Sequence, residues 1–473
     1  MAYTKKELEA FGIDNQHFER MTGRPVKKFS VNKVDVGYGV HSDTYCVKIC
    51  FRDGSEIDLF AKDTYKDRNI SGSLTKSTSL NKLEAEILEF GNAHNCFMPE
   101  FYGSWEFMDK NEKHTFTFME KWPGNLEENV LCGYHDKFGE ADEAGRKVIT
   151  DDVVDYLLRA IDMIVWNAYQ FNRPENGFNP RKSDGSPRVH AYEASAIEER
   201  LWENIFGLIE EKALEHIIPR LKTNGHGKDR YLIEASDIIN ILGSLKTNPF
   251  DSVMQSLYRD VRDIIKRFIA EPLAADVDNH RVHQLDPIPI HILLDETKPR
   301  NQYYANAIVD LVEGKLTDDK NPYLQLAIAD YQNMGFAPEP FPIGRLVNNP
   351  AVTYLIGKDR INQLREHAQT QVKRLKEKRR DIEFYRDISH SERILYEEGL
   401  AQAGWFTVLQ NIGFITLLHH KHQDKAEALV SRNAIYKPSN YVNISIDRAA
   451  SLENIQDKYT PLKDLLQKLR LKP

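Results

Sequence analysis

The order of local sequence patterns along the chain constrains its fold most. Strand-like alternation of apolar and polar residues runs from Lys27 to about Met119, and long apolar repeats at helical spacing dominate after Leu126. Strands gathered in one part of a chain and helices in another are typical of an α+β protein, because βα units would interleave them. We therefore expect a small antiparallel β-rich lobe, a larger, mostly helical lobe and a helical C-terminal extension.

Within the first part, the sequence predicts three strands, one helix and two further strands. The strand-like segments are VKKFSVNKV, TYCVKICF and EIDLFAKD, and the last two are joined by a turn at Asp53-Gly54. A loop rich in Ser, Thr and Gly leads into NKLEAEILEFGNAH, whose apolar residues recur at helical spacing. Strand signals resume at MPEFYGSWEF and HTFTFMEKW. An antiparallel meander interrupted by one helix is the expected arrangement.

The remainder predicts helices with one short return to strand-like sequence, PIPIHILLDE and then NAIVDLVEG. The segment from Gly399 to Leu418 is largely apolar but contains Gln402, Gln410 and Asn411, which would be costly in a membrane interior, so it predicts a buried helix. We place domain boundaries so that an N-terminal lobe spans 1–125, a helical lobe 126–348 and the extension 349–473.

Composition excludes several classes of protein. The 473 residues are 41% hydrophobic and 28% charged, which is typical of a globular protein rather than a fibrous or disordered one. The net charge of -8 provides no global basic field for nucleic acid. The four cysteines form no CxxC pair, and the N-terminus lacks the apolar stretch of a secretory signal. We expect a cytoplasmic protein with reduced thiols and no membrane span.

A glycine-containing hairpin between the first two strands is the first candidate for chemistry. Its sequence, GYGVHSDTY, places Gly37, Gly39, Ser42 and Thr44 where backbone N–H groups can approach phosphate oxygens. Such a hairpin alone is usually a plain turn. Lys62 on the third strand strengthens the nucleotide-binding interpretation, because its cation could reach phosphates held under the hairpin.

Two glutamates on the following helix are candidates for the partner of this lysine. Glu84 is favoured over Glu86, although Asn81 followed three residues later by Glu84 also matches a helix capping box. The sequence leaves both glutamates open as partners, and it also leaves open that neither pairs with the lysine.

The second group of candidate residues lies in QLDPIPIHILL (284–294) and NAIVDLVEG (306–314). With the hairpin and Lys62, these segments resemble the aminoglycoside phosphotransferase and choline kinase-like family, whose signatures read approximately HGDLHPGNILL and IDWE. In this alignment Asp286 falls on the catalytic aspartate and Asp310 on the aspartate that holds magnesium. The resemblance covers about residues 30 to 345, with a large helical insertion.

The resemblance implies a bilobal protein-kinase-like fold and a phosphotransferase that uses ATP and Mg²⁺ with a small-molecule hydroxyl as acceptor. It gives Asp286 the role of catalytic residue, Asp310 that of metal ligand, and Lys62 that of phosphate contact. The segment MEKW implies that Glu120 and Trp122 lie beside the adenine.

Several positions depart from the family pattern. The signature histidine and glycine are Gln284 and Leu285, and His291 stands at the position of a metal-binding asparagine. Asn321 and Gln325 stand where carboxylates are usual. Two hypotheses therefore remain open: a phosphotransferase with an altered metal site that includes His291, or a nucleotide-binding pseudokinase whose C-terminal helices bind a protein partner.

Overall fold

The computed structural model describes most of the chain. The described residues are 3–34, 43–65, 80–205, 208, 261–274, 280–378, 390–421, 423–452 and 459–471.

A five-stranded antiparallel sheet forms the first part of the molecule, with strand order β1-β2-β3-β5-β4. The predicted succession of three strands, a helix and two strands is confirmed. The elements of this sheet region are α1 (Lys5–Ala10), α2 (Asn15–Thr22), β1 (Val26–Val34), β2 (Asp43–Phe51), β3 (Glu56–Tyr65), α3 (Leu80–Ala93), β4 (Phe101–Asp109) and β5 (Glu112–Glu120).

The sheet region has its own apolar core, formed on one face by alternate residues of the strands. Tyr45, Phe116 and Phe118 are fully buried there, and Leu8 and Phe18 of the two N-terminal helices pack onto them. Burial of such large apolar side chains is the main force that holds the helices against the sheet.

Helices make up most of the remaining structure. The described helices of this helical region are α4 (Cys132–Phe138), α5 (Glu143–Phe171), α6 (Glu271–Ala274), α7 (Ala307–Val312), α8 (Phe341–Val347), α9 (Pro350–Lys378), α10 (His390–Lys421), α11 (Gln423–Arg432), α12 (Pro438–Ser451) and α13 (Thr460–Lys468). Short π-helical turns span Glu127–Leu131 and Lys266–Ala270, and residues 194–205 are also helical.

Two apolar cores organise these helices. The first is built around α5, which packs against α9, and it continues up to α3 of the sheet region. The second joins residues 197–208 to α8, α10 and α12. The segment predicted as a buried helix lies in α10, where Ala403, Trp405 and Ile412 are fully buried. Of the described helices, none combines the length and the apolarity that crossing a membrane requires.

Two small three-stranded sheets carry the loops that matter for function. Their strands are β6 (Gly124–Asn125), β7 (His190–Ala191), β8 (Arg281–Gln284), β9 (Ile292–Leu294), β10 (Leu326–Ile328) and β11 (Met334–Ala337). The strand orders are β10-β9-β6 and β7-β11-β8. Because β8 pairs with β11 and β9 with β10, the loop between β8 and β9 lies beside the loop between β10 and β11.

The prediction of a strand in NAIVDLVEG is wrong, since this segment forms α7. Ala307 and Ile308 are buried, and the helix ends at Gly314, whose φ of 66° is the left-handed conformation that often terminates helices. A short apolar run does not by itself distinguish a strand from a helix.

Candidate active site

Lys62 is the centre of the site. It lies on β3 opposite Thr44 of β2 and is 7% exposed. Its Nζ lies 3.2 Å from Oε1 of Glu84 on α3 and 2.9 Å from Oδ1 of Asp330, which follows β10. One ammonium group therefore links the sheet, the helix that crosses it and a loop of the helical region.

The charges of this cluster stabilise one another. Burial alone would lower the pKa of Lys62, but the carboxylates of Asp330 and Glu84 outweigh it and raise that pKa. Burial alone would raise the pKa of Asp330, but Lys62 and His291 lower it well below its usual range. Lys62 and Asp330 therefore both stay charged at neutral pH.

The structure pairs Lys62 with Glu84 rather than with Glu86. The Glu84 side chain is buried beside the lysine, whereas Glu86 forms an ion pair with Arg188. Residues two positions apart on a helix point about 200° apart, so the two glutamates cannot share one partner on the sheet.

Asp330, rather than Asp310, is the aspartate that the structure brings to Lys62. Asp310 lies on α7, where its Oδ2 accepts a hydrogen bond of 3.0 Å from the Tyr304 hydroxyl. Asp330 has φ 60° and ψ 50°, a left-handed conformation that aspartate tolerates better than most residues, and Asn333 donates to its Oδ2 at 2.5 Å. The structure therefore does not bring Asp310, the predicted metal aspartate, to Lys62; Asp330, 20 residues further along the chain, has that position.

Sequence reasoning missed Asp330 although a signal was present. It follows the short apolar run LAI, just as Asp310 follows AIV. The two segments have the same pattern of an apolar run followed by an aspartate. Only the pairing of β10 with β9 identifies LAI as a strand.

Asp286 lies at the end of β8, and Gln284 holds its loop against that of Asp330. The Gln284 Oε1 accepts from the Asp286 backbone N–H at 2.6 Å, while its Nε2 donates to the carbonyls of Ala329 and Asp330 at 3.2 and 3.3 Å. Gln284, which departs from the family's histidine, thus bridges the two aspartate loops. Gln325, the other departure near Asp330, donates to the Lys298 carbonyl at 2.6 Å.

Arg345 of α8 forms an ion pair with Asp286 through its Nη2. Its guanidinium also lies 5.4 Å from the ring centroid of Phe406, and 11% of its side chain is exposed. Within the described part of the chain, its Nε and Nη1 are buried without a hydrogen-bond partner. Sequence reasoning missed this arginine, because its partner is 59 residues away and no local pattern marks the pair.

His291 lies between the two aspartates. Its Nδ1 is 2.7 Å from the Asp286 carbonyl oxygen, and its Nε2 is 3.7 Å from Oδ2 of Asp330. Its own carbonyl accepts from the Ala329 N–H at 2.8 Å, which fixes the loop on which it lies.

The residues predicted beside the adenine lie where β5 leaves the sheet region. Trp122 Nε1 donates to Oε2 of Glu120 at 2.9 Å, and the Lys298 ammonium lies 4.1 Å from the Trp122 ring centroid. Because β6 pairs with β9, this segment passes close to the loop that carries His291.

The glycine hairpin lies mostly outside the described residues. Gly37, Gly39 and Ser42 belong to that part, whereas Thr44 is described and its Oγ1 donates to the Val34 carbonyl at 2.5 Å. Val34 and Thr44 are register partners on β1 and β2, and Thr44 is in turn the register partner of Lys62 on β3.

No protein-family model matches this chain, and no curated protein is similar enough to count as a match. The site therefore has to be interpreted from its own chemistry. It combines a buried cation, two aspartates on neighbouring loops and an imidazole between them. Among the described residues no cluster of three or more His, Cys, Asp or Glu side chains could hold a metal ion.

Proposed function

We propose that this protein is an ATP-dependent phosphotransferase with a bilobal protein-kinase-like fold, similar to the aminoglycoside phosphotransferase and choline kinase-like family. The acceptor in this proposal is a hydroxyl group of a small molecule. The sheet region corresponds to the nucleotide-binding lobe, and the helical region carries the catalytic loops.

The observation that carries the proposal is the set of contacts made by Lys62. A lysine on the third strand that pairs with a glutamate on the crossing helix is the arrangement that positions ATP phosphates in protein kinases. Here that lysine also contacts Asp330, which follows a short strand of the helical region. A purely structural ion pair accounts less well for a buried ammonium that joins three separate elements.

In this mechanism each side chain has one task. Lys62 contacts the phosphates, and Asp286 orients the acceptor hydroxyl and accepts its proton as the phosphoryl group is transferred. Arg345 holds the Asp286 carboxylate in place, and Gln284 keeps the two aspartate loops in register. Most of the expected acceleration comes from positioning and charge neutralisation, as is usual in phosphoryl transfer.

The residues present fit a divalent cation bound together with nucleotide phosphates. Asp330 offers an ionised carboxylate and His291 an imidazole, and two protein ligands are common where phosphates complete the coordination. Such a cation would neutralise charge on the phosphates. Asp310 is not part of this proposal, because its carboxylate lies on α7.

The surroundings of Asp286 argue against a polycationic acceptor. Arg345 places a positive charge directly on the carboxylate that would orient the acceptor, and a cationic acceptor would be repelled there. We therefore propose a neutral or anionic hydroxyl compound rather than an aminoglycoside.

A nucleotide-binding pseudokinase is the second candidate, and one observation favours it. The carboxylate of Asp286 is already neutralised by Arg345, and His291 occupies the place of a usual oxygen ligand. In this alternative a nucleotide is structural, and the helices after 349 bind a protein partner.

The test of the proposal is ligand-linked stabilisation by ATP. Because a ligand that binds only the folded protein raises its melting temperature, ATP at 100 times its Kd should contribute about 2.7 kcal/mol. Lys62→Ala should abolish the shift, and Asp330→Asn should remove the part of it that needs a divalent cation. Asp310→Asn is the matched control and should behave as the unsubstituted protein does.

A melting temperature that ATP does not change, with or without a divalent cation, would contradict both nucleotide-binding hypotheses. Acceptor-dependent ADP release then separates the two. For the enzyme, Asp286→Asn should lower turnover at least about a hundredfold while ATP affinity changes little. ATP binding without turnover on neutral, anionic and cationic hydroxyl compounds would favour the pseudokinase.

A further inference from the structure

The orientation of His291 determines which of its ring nitrogens is free. The Nδ1 atom lies 2.7 Å from the Asp286 carbonyl oxygen, and a carbonyl oxygen can only accept a hydrogen bond. Nδ1 therefore carries the proton and donates. In the neutral imidazole the lone pair is then on Nε2, the atom that faces Asp330.

Nε2 of His291 and Oδ2 of Asp330 are 3.7 Å apart, which is too far for a hydrogen bond. Oδ2 receives one hydrogen bond, from Asn333, and Oδ1 is the atom that contacts Lys62. A carboxylate oxygen has room for a second partner. The Nε2 lone pair of His291 and the Oδ2 carboxylate oxygen of Asp330 are thus neighbours at a distance of 3.7 Å.

The separation of Nε2 and Oδ2 allows one metal ion to bind both atoms. Metal bonds of about 2.0–2.2 Å to nitrogen and oxygen can join donor atoms up to roughly 4 Å apart. A ligating histidine almost always donates its other ring N–H to a carbonyl or carboxylate, which fixes the ring orientation. The Asp286 carbonyl has this relation to His291.

We infer that His291 Nε2 and Asp330 Oδ2 together bind a first-row transition-metal dication, such as Mn²⁺, in preference to Mg²⁺. This inference rests on the proposed function, since nucleotide phosphates complete the coordination. Mg²⁺ demands oxygen ligands in near-ideal octahedral geometry. Imidazole nitrogen suits Fe²⁺, Ni²⁺, Cu²⁺ and Zn²⁺ best, and Mn²⁺, the weakest binder of the first-row series, is the most stringent probe of the preference over Mg²⁺. Exchange of the usual asparagine oxygen for a nitrogen therefore changes which metal the site selects.

A spectroscopic experiment tests the nitrogen ligand directly. Full-length protein containing isotopically labelled histidine is mixed with Mn²⁺ and a non-hydrolysable ATP analogue, and pulsed EPR measures coupling between the metal and the labelled nitrogen. The label separates the imidazole from the nitrogens of the nucleotide. We expect coupling in the unsubstituted protein and its loss in His291→Asn. His94→Asn, on a residue that packs against Phe90, is the matched control and should retain the coupling.

A second measurement tests selectivity. Titration calorimetry gives the affinities of Mn²⁺ and Mg²⁺ for the protein with the bound analogue. Loss of a residue that hydrogen-bonds to a metal ligand lowers metal affinity about 10- to 100-fold. Loss of the ligand itself, in His291→Asn, should therefore lower the ratio of Mn²⁺ to Mg²⁺ affinity at least about tenfold.

The outcomes separate this inference from the function on which it rests. If the analogue itself does not raise the melting temperature, the proposed function fails. If it does, but the EPR spectrum lacks histidine coupling and the affinity ratio is equal in both proteins, the metal inference alone is overturned. Coupling that persists in His291→Asn would equally overturn it, because another histidine would then be the ligand.

Discussion

At the residue scale, the candidate site consists of charged side chains that contact one another. Lys62 and Glu84 are 22 residues apart on a strand and the helix that follows it, so local patterns suffice to suggest the pair. Asp286 could be proposed from its motif. Arg345 could not be proposed from the sequence, because its role depends on a long-range contact between α8 and the loop after β8. No local sequence pattern encodes such a contact.

The ion pair of Arg345 and Asp286 should appear as an energetic coupling. We expect a double-mutant cycle with Arg345→Met and Asp286→Asn to give an interaction energy of about 0.5–3 kcal/mol, since residues in one ion pair are not additive. Urea unfolding of the four proteins measures it.

A matched cycle pairs Asp286→Asn with Arg24→Met. Arg24 binds Asp53 near the start of β1 and shares no described partner with Asp286. These two substitutions should be additive to within about 0.5 kcal/mol. Additivity in the Arg345 cycle as well would show that the close contact contributes nothing to stability.

At the element scale, strand pairs close in sequence were predictable and short isolated elements were not. β1, β2 and β3 follow one another along the chain and pair in that order, and β2 has the alternating burial that its sequence pattern predicts. β9 and β10 have three residues each and are separated by a long connection. Their identity as strands comes from pairing with each other, and this is why α7 was mistaken for a strand and Asp330 was missed.

A glycine inside α9 supplies a further element-scale feature. Gly357 has φ 65° and ψ 175°, a conformation that is essentially restricted to glycine, and it divides α9 into two straight segments. A Cβ atom added there would meet nothing within 4 Å, so the backbone alone limits substitution.

Gly357→Ala should therefore destabilise the protein by about 1–3 kcal/mol through backbone strain. Gly133 in α4 is the matched control, because it is helical and its added Cβ also meets nothing within 4 Å. Gly133→Ala should stabilise by about 0.5–1 kcal/mol, since alanine is the better helix former. Calorimetric melting compares the two variants. Equal effects of the two substitutions would contradict the strain argument.

At the scale of the whole molecule, the C-terminal helices are attached to the segment that follows β6. The Tyr436 hydroxyl donates to the Glu127 carboxyl group, and Asn433 Nδ2 donates to the Cys132 carbonyl at 2.9 Å. Burial, with a smaller effect of Glu128, raises the pKa of Glu127 to about 8. A proton on Glu127 is therefore part of the folded state at neutral pH.

This proton gives stability a specific pH dependence. Because the pKa of Glu127 in the folded state, about 8, exceeds the ordinary glutamate value of 4.5, the folded state binds more protons than the unfolded state between these pH values. The contribution of this proton to the free energy of unfolding is complete below about pH 4.5 and is lost as the pH rises through about 8. The loss is up to roughly 1.4 kcal/mol per pH unit. Glu127→Gln keeps the acceptor for Tyr436 without a charge, so its melting temperature should fall less between pH 5.5 and pH 8.5.

The exposed Glu140 provides the control for this measurement, because Glu140→Gln removes a charge from the turn between α4 and α5 without touching a buried carboxyl group. Its melting curve should follow that of the unsubstituted protein at both pH values. If the melting temperature of Glu127→Gln falls as steeply with pH as that of the unsubstituted protein, another group causes the pH dependence of stability.

The loop between α3 and β4 has a consequence for motion of the two parts of the molecule. The Phe97 carbonyl accepts from the Ile328 N–H at 2.9 Å, and the Phe97 N–H donates to Asn167 Oδ1 at 2.8 Å, so the C-terminal end of α3 is fixed to the helical region. The contact of Lys62 with Asp330 also joins the sheet region to the helical region. A rotation of the sheet region relative to the helical region would therefore have to lengthen that contact. The distance between Lys62 Nζ and Asp330 Oδ1 is thus the one that reports such a rotation.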